Sequence, residues 1–179
     1  MTREGAHAGP GDRHTEHNEE AAMTTATPKD ETRHLKAEEA IQIFKYDKTH
    51  GKEFGGGVKK FVPLANTKNL RTHVQVLKKG GENNLHYHTN VDIMYMVLKG
   101  RVKFYGPEDK VYGEFGPLEG LVFPADARYW FEQVGAEELE LFQVFAYGGK
   151  EEKDALRVNV GAHKPWMEEH KELTIYESN

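Results

Sequence analysis

The chain has 179 residues, of which 37% are hydrophobic and 11% aromatic, enough for one domain with a packed core. Its 24 Lys and Arg stand against 29 Asp and Glu, a net charge of −5 with no long basic run, which excludes nucleic acid as the main partner because phosphate binding needs clustered cations. Cysteine is absent, so disulfides, thiolate zinc sites and a Cys nucleophile are excluded too.

Residues 1–34 read as a disordered tail, rich in Thr, Glu, His, Gly and Ala, with almost nothing to bury against the entropy of ordering. His7, His14 and His17 read as solvent histidines, and Met23 is a candidate for the true start. No apolar run here resembles a secretory signal and no stretch approaches the length of a membrane span, so the expectation is a cytoplasmic protein that engages no membrane.

From Leu35 the texture changes. Leu35, Ala40, Ile41 and Phe44 fall near one face of a short helix or arm. Gly55-Gly56-Gly57 breaks the chain, and short strand-like runs follow: 58–64, 71–78, 91–98, 101–105, 120–124, 129–134 and 139–147. Gly80-Gly81, Lys99-Gly100, Gly106-Pro107 and Gly148-Gly149 punctuate them. Many short strands at close spacing favour a sandwich or barrel over βαβ units. Leu156, Val158 and Val160 alternate as a last strand or arm, and Trp166 and Met167 are expected to anchor a C-terminal tail. The reading is a single all-β domain over 35–179, with its barrel core at 58–149.

The segment from Gly80 to His88 carries the chemistry. Side chains at i and i+2 of a strand share a face, so His86 and His88 converge while Tyr87 points away. Two neutral imidazoles on one wall of a barrel can grip a divalent metal if another strand supplies a further ligand. His-x-His alone is a weak signal. The Gly-Gly turn before it and the Val-Leu-Lys-Gly strand end after it strengthen the reading.

The stretch resembles the first cupin motif, Gly-x5-His-x-His-x3/4-Glu-x6-Gly, with Gly80, His86, His88 and Gly100 at the expected spacings. Residues 120–133 resemble the second motif, Pro-x-Gly-x2-His-x3-Asn, and the resemblance covers roughly 71–147. It implies an antiparallel jelly-roll or cupin β-barrel, often a homodimer, with a metal in the lumen. Departures accompany it. The motif's Glu falls on Ile93 or, with the shorter spacing, on Asp92; its second His is Tyr129 and its Gly is Asp126. Only one of Asp92 and Ile93 faces the lumen of a regular strand, unless a bulge swings Asp92 inward.

Several readings of the site stay open. His86, His88 and Asp92 would form the two-histidine, one-carboxylate triad of non-haem Fe(II) oxygenases, with Zn, Ni or Mn as other occupants. A weaker site would use the two histidines with Tyr129 or waters. The third arrangement is a lumen without metal. Arg71, His73 and Gln75 share one strand face, either lumen or solvent; Gln143 lies in an apolar stripe, and Tyr95 reads as a packing residue near the site. The expected function is accordingly a metal-dependent enzyme acting on a small organic molecule, an Fe(II) dioxygenase first, with Tyr129 donating a proton or hydrogen bond. A non-redox lyase, isomerase or cyclase, and a non-catalytic ligand-binding barrel, are the alternatives.

Overall fold

The structure is a computed structural model that describes residues 27–148, 156–160 and 175–176. Trp166, Met167, His7, His14 and His17 lie outside the described residues. Two compact units divide between Ile41 and Gln42.

The first unit contains α1 (Pro28–Glu39). Its start is set by Thr27, whose carbonyl accepts from Glu31 N at 3.0 Å, followed by Pro28, which is pre-set for a first helical position. The helix thus begins earlier than the expected 35–44 segment and ends at Glu39, with residues 41–47 in no regular element.

The second unit is the barrel: β1 (Lys52–Phe54), β2 (Lys59–Asn66), β3 (Leu70–Leu77), β4 (His86–His88), β5 (Asp92–Lys99), β6 (Arg101–Tyr105), β7 (Val111–Phe115), β8 (Gly120–Phe123), β9 (Trp130–Val134), β10 (Leu139–Ala146), β11 (Arg157–Asn159) and β12 (Ile175–Tyr176). One sheet runs β1-β2-β3-β10-β5-β8. The strands β7-β6-β9 and β12-β11-β4 form two shorter ladders, and a bridge between His86 and Tyr129 joins them into a second wall. All pairs are antiparallel except β11 with β12. The all-β barrel expected from strand spacing, and the jelly roll that the motif resemblance implies, are therefore present. The short β1 and the largely exposed β7, which Gly113 interrupts, were not anticipated.

Strand alternation fills the interior. Ile93, Tyr95 and Val97 of β5 are buried while Asp92 and Met94 are exposed. Leu139 and Leu141 of β10, Phe104 of β6 and Phe131 of β9 complete the core between the walls. On the outer side of the larger sheet, Val62, Val74 and Val76 form a second cluster packed against Tyr46, Leu64, Leu98 and Phe142. Gly100 turns β5 into β6 at φ 77, and a Cβ there would lie 2.7 Å from the Glu138 carbonyl oxygen. Among the described residues no helix is long and apolar enough to cross a membrane.

Candidate functional site in the barrel lumen

His86 and His88 reach the lumen together, as the i, i+2 spacing predicted, and are 1% and 9% exposed. Their strand is held to Tyr129 by two backbone bonds, His86 N to Tyr129 O at 3.0 Å and Tyr129 N to His86 O at 2.9 Å. That bridge gathers the three rings: His86 lies edge-on to His88 at 5.2 Å and tilted against Tyr129 at 4.5 Å, centroid to centroid. His86 Nδ1 sits 2.8 Å from the Asn84 carbonyl and donates to it, which leaves Nε2 with a lone pair. Asp126 stands where the second motif has Gly and adopts φ 67, the left-handed conformation that glycine would supply. Its N–H donates to His88 O at 2.8 Å, pinning the turn before Tyr129 against β4.

The opposite wall supplies a polar row. His73, Gln143 and Tyr95 are cross-strand neighbours in register, and Gln75 follows on β3, so the polar face of β3 is the lumen face. Gln75 Nε2 donates to Gln143 Oε1. Gln143 Nε2 donates to Tyr95 Oη at 2.7 Å, and Tyr95 Oη lies 2.8 Å from Tyr129 Oη. Either phenol can donate in the Tyr95–Tyr129 bond; with Tyr95 accepting from Gln143 and giving its own O–H to Tyr129, the Tyr129 O–H is left for a ligand. Tyr95 is thus a link across the lumen as well as a packing residue. Arg71 lies over the Phe145 ring at 4.5 Å, half-buried.

Asp92 is corrected. It is exposed, and its Oδ1 accepts from Ala125 N at 2.9 Å on the outside of the barrel. Ile93 takes the inward position, paired with Phe145 and Phe123. The pairing of β5 with β10 shifts only between Glu140 and Leu141, at the far end of the strand, so no bulge turns Asp92 inward.

Electrostatics follow burial. Desolvation, with the Arg157 and Arg71 charges, pushes the His88 imidazole down to about 3. Desolvation and Arg71 push His73 to about 3 as well. Burial and Arg157 hold His86 well below the ordinary range. Burial raises the Tyr95 and Tyr129 phenols, so both stay protonated. Among the described residues, no three His, Asp or Glu side chains are grouped so as to hold a metal ion. The donor set does not fit a divalent cation: two imidazoles, a phenol held neutral, an isoleucine at the carboxylate position, and guanidiniums as the charges acting on the histidines.

Sequence reasoning missed Lys59, Asn83, Asn84, Arg157 and Asn159. Arg157 and Asn159 are paired with His88 and His86 and so share their face. The apolar alternation of Leu156, Val158 and Val160 marked the other face, and the signal lay in the polar residues between them. Lys59 is 1% exposed, with Nζ over the Phe61 and Phe131 rings at 5.3 and 5.5 Å and bonded to Asn83 Oδ1. Burial, then Arg157, holds its amine well below the ordinary lysine range.

Solved structures carry the same architecture. The chain matches KdgF from Halomonas sp. with a TM-score of 0.51 and 16% identity, over 59% of this chain and 94% of that one. It matches a protein with a double-stranded β-helix domain from Klebsiella pneumoniae with a TM-score of 0.50 and 14% identity, over 58% and 84%. The barrel has the cupin fold. An RmlC-like cupin from Methanocaldococcus jannaschii matches at 0.49 and 16% identity, over 61% and 93%. At these identities the likeness is one of fold. No protein-family model matches the sequence, and no curated protein does. Within the cupin barrel this chain keeps the paired histidines of the first motif and replaces the other two usual ligands with Ile93 and Tyr129.

Proposed function

We propose that this cupin binds a small organic molecule in its lumen and acts on it by non-redox proton transfer, as a lyase or isomerase does, without a metal. The observation that carries the reading is the chain Gln75, Gln143, Tyr95, Tyr129, which ends on a phenol beside His86 and His88. Each donated bond polarises the next, so the Tyr129 O–H is a better donor than an isolated phenol. Burial keeps His86 neutral with the Nε2 lone pair unprotonated, and negative charge developing on a substrate beside it would raise its basicity during the transfer. Tyr129 therefore gives a proton to a developing oxyanion while His86 accepts one from the adjacent carbon.

A metal-dependent reading, with Fe(II), Zn, Ni or Mn on His86 and His88, makes the opposite prediction about chelators. EDTA-treated protein is incubated with a small-molecule extract and washed, and the retained compounds are identified by mass spectrometry. The proposal expects a compound retained without metal, lost in His86→Ala/His88→Ala, and converted without oxygen uptake by wild type but not by Tyr129→Phe. Retention or conversion that appears only after a divalent ion is restored refutes it.

A further inference from the structure

The outer face of the six-stranded sheet is apolar over more of its width than the chain itself covers. Cross-strand neighbours share a face, so Thr72, Val144, Met94 and Val122 form one row across β3, β10, β5 and β8. Val74, Phe142 and Met96 form the next row. Tyr46 packs against the cluster of Val62, Val74 and Val76 on the β2–β3 side of this surface. On the other side Val144 is half-buried, Met94 is 36% exposed and Val122 is 61% exposed. A sheet face left to water ordinarily carries polar residues. Here apolar side chains in register meet solvent instead.

The segment that leads to Tyr46 is held at both ends. Gln42 Nε2 donates to Asn66 O at 2.5 Å and Asn66 N donates to Gln42 Oε1 at 2.9 Å, which ties the segment to the end of β2. Tyr46 Oη donates to Glu140 Oε2 at 2.8 Å, which ties it to the start of β10. Between these anchors Ile43 and Phe44 are 95% and 51% exposed. The arm is therefore fixed on the sheet while it presents two large apolar side chains to water.

A protruding apolar pair and an uncovered apolar row thus share one face of one chain. Their margins carry opposite charges. Lys45 follows Phe44 on the arm, and Asp92 lies beyond Met94 on the outer side of β5, both exposed. Ile43, Phe44, Met94 and Val122 together expose on the order of 400 Å² of apolar surface, which is large for a surface patch. Pairing two copies covers about 800 Å² from these side chains alone, and their polar margins bring the total to the roughly 1,200 Å² of a small specific interface.

We infer that the outer face of β10, β5 and β8 is the interface of a two-fold homodimer, in which Ile43 and Phe44 of each copy pack on Val144, Met94 and Val122 of the other. A two-fold axis makes the same contact twice and covers both features of both copies. The pairing leaves the lumen untouched, because Ile93, Tyr95 and Val97 face inward from the same β5.

The test is sedimentation velocity of the full chain from about 1 to about 100 μM, with a dissociation constant in the micromolar range expected for so small an interface. Ile43→Lys and Val122→Glu should each weaken dimerisation by about tenfold or more, with circular dichroism and Tm showing that both variants stay folded. An equimolar mixture of the two variants should associate again. In that mixed dimer one contact sets the new lysine against the new glutamate, and the other is wild type. A wild type that stays monomeric over the whole range overturns the inference, whether the face is then covered by this chain's own C-terminal residues or by a different protein. A dimer that neither substitution weakens places the contact elsewhere and overturns it too. A dimer that both substitutions weaken but the mixture does not restore overturns the pairing of arm with row.

Discussion

Acid should unfold this barrel through its histidines. His73, His86 and His88 are buried in their neutral forms, 7%, 1% and 9% exposed, with His73 and His88 pushed down to about 3 and His86 displaced in the same direction. In the unfolded chain each imidazole titrates near ~6.5. Below that pH the unfolded state holds protons that the native state refuses, so stability is complete above ~6.5 and falls as pH drops toward ~3. Each such group costs ~1.4 kcal/mol per pH unit, so three together cost about 4 kcal/mol per unit. Against a domain stability of about 5–15 kcal/mol, one to two units of acidification consume a large share. The assay is urea unfolding followed by circular dichroism at about pH 7.5 and about pH 5.5, a window above the carboxylate range. The wild type should lose about 4 kcal/mol across that window, and His73→Leu should lose about a third less. A loss below about 1 kcal/mol, or a slope that His73→Leu leaves unchanged, would refute the burial of neutral imidazoles.

Lys59→Met removes an amine held well below its ordinary range. Wild type should gain stability as pH rises from neutral toward ~10, because the unfolded lysine is protonated and the native one is not, and thermal unfolding should show that the Met variant lacks this rise. Tyr95→Phe leaves Gln143 Nε2 and Tyr129 Oη without their shared partner and should cost about 1–3 kcal/mol, read as a lower Tm. Ile93→Glu places a carboxylate on the lumen side of β5 and should raise Zn(II) affinity measured by calorimetry, whereas Asp92→Ala, outside the barrel, should leave it unchanged.

On β5 the two faces are not told apart by sequence, because Met94, Met96 and Leu98 are as apolar as the buried Ile93, Tyr95 and Val97. On β3 the ambiguity has a different origin. Thr72, Val74 and Val76 are as buried as His73 and Gln75, since Tyr46 and its neighbours cover the outer face, and a strand buried on both sides carries no directional signal. The motif spacing placed His86 and His88 correctly and left Asp92 and Ile93 as alternatives, which the unbulged pairing with β10 and β8 decides for Ile93. The approach of Arg157 to the histidines was not legible. Arg157 lies far along the chain, in a strand whose apolar residues pointed attention to its other face, and only the pairing of β11 with β4 brings it to the histidines.

The most direct measurement is metal content by elemental analysis of tag-free protein, before and after anaerobic reconstitution with Fe(II), beside the His86→Ala/His88→Ala double variant. A site made of two imidazoles, a neutral phenol and neighbouring guanidiniums should hold far less than one metal per chain, with wild type and variant alike. Near-stoichiometric metal in the wild type that the double variant loses would contradict the account and make this barrel a metalloprotein.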